Sequence, residues 1–62
     1  MSRDDLIGIY NSYKNRALKE GFAFYDFWNH VNRFVDPLEA DAETWAIVGQ
    51  LAYRALCEDK NK

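Results

Sequence analysis

The twelve residues from Phe24 to Val35 constrain this chain more than any other stretch. On a helical wheel Phe24, Phe27, Trp28, Val31, Phe34 and Val35 fall within about 120°, the width of a stripe that faces a core. Tyr25, Asp26, Asn29, Asn32 and Arg33 occupy the other side, with His30 on the border. A short helix with so large an apolar face is held by tertiary packing, so other helices must cover it. The segments before and after it have patterns suited to that task.

The first segment opens with Ser2 and Asp5 as a variant capping box, and the helix dipole also favours Asp4 and Asp5. Leu6, Tyr10, Tyr13 and Ala17 then recur at helical spacing, widened by Ile9. Gly8 weakens the first turns by about 1 kcal/mol against alanine. Gly21, after Lys19 and Glu20, is a stop signal. These features predict a helix over about 3–20.

After Val35, Asp36-Pro37 breaks the pattern, because proline disfavours helical geometry in the residue before it and suits a first helical turn. Asp36 with Glu39 offers one cap for a third helix, and Asp41 with Glu43 offers another. Whether that helix begins at Pro37 or near Ala42 stays open; its span is about 38–58. Trp45, Val48, Gly49, Ala52, Ala55 and Leu56 share one of its faces, and residues 58–62 read as a frayed tail.

Helices over about 3–20, 24–35 and 38–58, joined by short connections, predict an all-α, single-domain three-helix bundle across residues 1–62. The expected core is Leu6, Tyr10, Tyr13, Phe24, Phe27, Trp28, Val31, Phe34, Val35, Trp45, Val48, Ala52 and Leu56.

Size limits what such a core can do. A chain of 62 residues buries only about 60% of the surface its unfolded form exposes. One core of that kind supplies roughly 3–5 kcal/mol without a disulfide, a metal or a partner chain. Cys57 is the single cysteine and His30 the single histidine, so neither an internal disulfide nor a metal centre is expected. Self-association is the remaining staple, and an aromatic content of 16% suits it.

Charge narrows the partners. Residues 1–21 carry four bases against three acids, and residues 22–62 carry seven acids against four bases, so +1 gives way to −3. Nonspecific binding to nucleic-acid backbones needs clustered positive charge instead. The start lacks the apolar region of a secretory signal, and no apolar run nears the roughly 20 residues of a membrane span. With one thiol, a cytoplasmic location and no membrane association are expected.

Two short motifs have familiar outlines. Gly21-Phe22-Ala23-Phe24-Tyr25-Asp26-Phe27 resembles the aromatic strand of RNA-recognition domains, with Leu6 to Asn11 as a faint partner strand. Glu20 stands where that motif needs a basic residue, and the two strands lie too close for the elements between them. Gly8-Ile9-Tyr10 matches the opening tripeptide of a nuclease family, but the second tripeptide is absent downstream. Neither reading holds. His30 reads as a boundary histidine beside Asp26, and Cys57 as a small, partly buried apolar residue, so no catalytic or cofactor-binding residue is expected. Arg3, Lys14, Arg16 and Lys19 form a modest positive strip that a helix-turn-helix reader could use.

A different feature sits on the third helix. Ile47 and Leu51 stand one turn apart, outside the arc of Trp45, Val48, Ala52 and Leu56, and Ile47 points among Glu43, Gln50 and Arg54. Tyr25 and Tyr53 also fall outside the core arcs. Ile47, Leu51, Tyr25 and Tyr53 are therefore the candidate interface, in its simplest form a homodimer seam between third helices. A third helix rotated to bury Ile47 and Leu51 and to expose Trp45 is the alternative.

The whole chain, short, acidic, aromatic-rich and helical in pattern, resembles small accessory proteins encoded by temperate phages and prophages. The resemblance implies a protein that acts by binding and modulating a host partner. The expectation is a non-enzymatic protein–protein interaction module that forms homodimers and binds a further protein, without a cofactor. The alternative is a small nucleic-acid-binding regulator of helix-turn-helix type.

Overall fold

A computed structural model describes residues 2–61 as a small three-helix bundle: α1 (Arg3–Lys19), α2 (Phe24–Phe34) and α3 (Ala42–Lys60). Local chemistry sets both ends of α1. The Ser2 hydroxyl accepts from the Asp5 amide at 3.2 Å while the Asp5 carboxylate accepts from the Ser2 amide at 3.3 Å, completing the capping box. At the far end Gly21 takes a φ of 99°, the Phe22 amide donates to the Ala17 carbonyl at 3.0 Å, and the Gly21 amide donates to the Leu18 carbonyl at 3.1 Å. That is a Schellman stop, and it turns Phe22 back onto the core that contains Ala17.

The third helix begins at Ala42 rather than at 38, because Asp36 is consumed by a turn. Its carbonyl accepts from the Glu39 amide and its carboxylate from the Leu38 amide, both at 3.0 Å. Pro37 fits the second position of such a turn. Asp41 then caps α3, its carboxylate accepting from the Thr44 amide at 2.8 Å. That hydrogen bond holds the Asp41 pKa below its ordinary value of 3.8. At the other end, residues 58–60 are helical instead of frayed, with Asn61 as the C-cap. Contacts from α2 and from the link before it hold this turn: Asp59 meets His30, and the Lys60 ammonium sits 5.5 Å from the centre of the Phe22 ring. Met1 and Lys62 lie outside the described residues.

Helices α1 and α3 run in the same direction, since the neighbouring pairs Tyr10–Gly49, Tyr13–Tyr53 and Glu20–Cys57 advance together along both. The second helix lies across them. Trp28 stacks on Trp45 while His30, two residues later, reaches Asp59 near the opposite end of α3. Contact between α1 and α2 is slight, and both pack chiefly on α3.

Phe27 and Val31 are fully buried at the centre of this crossing, among Ala17, Val48, Ala52 and Leu56. Tyr10, Trp28, Val35 and Trp45 are half-buried and pack against that centre, whereas Leu6 and Tyr13 are half-buried on α1 outside it. Burial raises the Tyr10 phenol above its ordinary pKa. Ala46 and Gly49 are buried as well, and at Gly49 the backbone of α3 comes close to Tyr10 of the parallel α1.

Two expected core residues are not in the core: Phe24 and Phe34 are each 48% exposed. Both lie on the correct side of α2 but at its ends, where the steep crossing leaves little helix beneath them. Phe24 instead closes an aromatic row, stacking on Trp28 at 6.2 Å, with Trp28 stacked on Trp45 at 6.0 Å and Trp45 edge-on to Tyr10 at 5.0 Å.

Candidate interaction surface

Packing by α1 and α2 on one side of α3 leaves its other side open to solvent. At roughly 100° per residue, Ile47 stands about 180° from the buried Leu56, and Leu51 stands about 140° from it. Ile47 is 53% exposed and Leu51 38% exposed. The helix is therefore not rotated to bury them, and Trp45 packs against the core. Around the pair lie Glu43, Gln50, Arg54 and Glu58, all exposed. Ile47 and Leu51 form a short apolar stripe with Glu43, Gln50 and Arg54 along one flank.

The other two candidate interface residues do not join it. Tyr53 belongs to the interior side: its hydroxyl donates to the Glu20 carboxylate at 2.8 Å, and its ring packs on Tyr13 at 5.8 Å. The hydrogen bond from the neutral phenol to Glu20 pushes the Tyr53 pKa up to about 12. Tyr25 is 70% exposed, but it stands about 160° from Phe27 and so faces away from α3. The missed signal for Tyr53 was Glu20, distant in sequence but placed by the stop of α1.

One exposed apolar residue went unnoticed in the sequence. Leu38, 95% exposed, is displayed by the turn that Asp36 and Pro37 build. Its position directly after proline, between Asp36 and Glu39, was the available sign.

The groups that resemble chemistry are engaged in structure. The Nδ1 of His30 lies 2.9 Å from the Asp26 carbonyl oxygen, and its Nε2 lies 3.1 Å from the Asp59 carboxylate. Both nitrogens thus face oxygen atoms of the same chain. The depression beside them, of about 450 Å³, is open to solvent and carries charges of both signs from Asp26, Arg33, Asp59 and Lys60. The Cys57 thiol sits 4.0 Å from the Glu20 carboxylate, already shared with Tyr53. Of the basic residues on α1, Lys14 lies 6.0 Å from the centre of the Phe24 ring and Arg16 5.7 Å from that of Tyr53.

Among the described residues, no three of the His, Cys, Asp and Glu side chains gather where they could hold a metal ion. None of the described helices is long and apolar enough to cross a membrane. The chain matches no protein-family model, no curated protein and no solved structure.

Proposed function

We propose that this chain is a non-enzymatic protein–protein interaction module, a small accessory or regulatory protein that binds through the outward face of α3 and pairs there with a second copy of itself. The observation that carries this reading is the joint exposure of Ile47 and Leu51, one turn apart on the side of α3 turned away from the core. Each would contribute roughly 1.5–3 kcal/mol if fully buried, and a bundle of this size has little stability in hand. A twofold partner buries the stripe on both copies with one surface. Action by binding also accords with the likeness to phage accessory proteins.

A nucleic-acid-binding regulator would rely on Arg3, Lys14, Arg16 and Lys19. Two of these already lie against aromatic rings, and the net charge of −2 opposes backbone binding. Sedimentation across a wide concentration range tests the preferred reading. Wild type should associate as concentration rises, while Ile47→Glu, Leu51→Glu should be a monomer with unchanged helical circular dichroism. A wild type that stays monomeric at every concentration refutes self-pairing, and salt-sensitive shifts of generic DNA or RNA would favour the regulator.

A further inference from the structure

We infer that the two copies pair antiparallel through α3, with Glu43 of each set against the partner's Arg54. The inference rests on the self-pairing reading above and adds the orientation and the residues that select it. Glu43 and Arg54 are both exposed, and neither has an ion-pair partner within its own chain among the described residues, where the one such contact is His30–Asp59. They are eleven residues apart, close to three full turns, so they share one flank of the Ile47–Leu51 stripe about 16 Å from each other. The midpoint of Ile47 and Leu51 falls at residue 49, and the midpoint of Glu43 and Arg54 falls between residues 48 and 49.

That coincidence makes the face self-complementary about a twofold axis perpendicular to α3. An axis at that level sets Ile47 against the partner's Leu51. Equal flanks meet in an antiparallel helix pair, so the same operation sets Glu43 against the partner's Arg54, twice over by symmetry. A parallel pair instead turns this flank toward the partner's opposite flank, where Thr44 and Ala55 offer no charge. Glu58, on the midline of the stripe, then lies near the first turn of the partner's α3. The helix dipole favours an acid there, although Asp41 already occupies the cap. The apolar stripe supplies burial, and the two charge pairs select the register and direction.

Two charge reversals and their mixture test the inference, read by sedimentation equilibrium at low salt with circular dichroism as the folding control. Glu43→Arg puts two cations opposite each other at each end of the seam, and Arg54→Glu puts two anions there. Each variant alone should dimerise at least about tenfold more weakly than wild type. An equimolar mixture restores opposite charges at both ends, and should form heterodimers with an affinity close to that of wild type. If wild type dimerises but the single reversals match it, or if the mixture fails to recover, the antiparallel seam is wrong while self-pairing stands. If wild type does not associate, self-pairing and the seam both fall.

Discussion

The two faces of α3 are made of different materials. Toward α1 and α2 it buries Val48 and Leu56 together with three small residues, Ala46, Gly49 and Ala52; away from them it presents Ile47 and Leu51, both exposed. The small residues are covered because a parallel neighbour comes close. A Cβ added at Gly49 would lie 3.0 Å from the Tyr10 ring and 3.2 Å from the Tyr10 Cα. Where helix backbones approach closely, lack of bulk decides which face is buried, and the large rings of α2 fill the space that remains.

The largest effect should come from the ring at the centre of the inner face. Phe27→Ala is expected to cost about 3–5 kcal/mol, close to the whole stability of a core this size, so circular dichroism should show a largely unfolded chain. Phe34→Ala should cost less than half as much, because about half of that ring is already in water. Equal losses in a urea titration would mean that α2 packs along α3 instead of across it.

Gly49 sharpens the contrast. Alanine there gains about 1 kcal/mol of helix propensity but crowds the Tyr10 Cα at 3.2 Å, and that backbone gives way less easily than a side-chain tip. Net destabilisation of about 1–2 kcal/mol is expected. The same change at Gly8, where an added Cβ meets nothing within 4 Å, should stabilise by about 0.5–1 kcal/mol. Chemical denaturation of the two variants should therefore move in opposite directions, and movement in the same direction would break the close approach of α1 and α3.

On the outer face, measured at monomer concentrations, Ile47→Ala should shift stability by no more than about 0.5 kcal/mol and the less exposed Leu51→Ala by about 1 kcal/mol. A loss of several times that in dilute thermal melts would show the stripe to be covered within the single chain.

Tyr53 marks the edge between the faces, and its phenol gives the smallest and most local readout. With its pKa at about 12 instead of 10, the folded state favours the neutral phenol. The contribution is therefore complete below pH 10 and is lost as pH rises from 10 through about 12. Ultraviolet titration should find Tyr53 ionising late, beside Tyr10, whose phenol is raised by burial, and Glu20→Gln should bring Tyr53 alone back toward its ordinary value. An unchanged titration in that variant would remove Glu20 as its partner.

Much of this molecule is written locally. The Ser2–Asp5 box, the Gly21 stop and the apolar spacing of Phe27 and Val31 each act within a few residues, so three helices and the centre of their core were legible in the chain. The start of α3 was ambiguous because Asp36 and Asp41 are equally good caps in isolation. The turn at Pro37, which occupies Asp36, left the capping role to Asp41. Other facts depended on residues far apart. A helical wheel gives a side chain's azimuth but not what lies beneath each end of the helix, so Phe24 and Phe34 were indistinguishable from Phe27 until α2 was seen to lie across its neighbours. Tyr53 read as outward-facing because Glu20, which engages it, is thirty-three positions away. Sequence determined where the helices form and which azimuth each turns inward. Tertiary packing alone decided their directions and their crossing, because those follow from contacts between segments that no local pattern encodes.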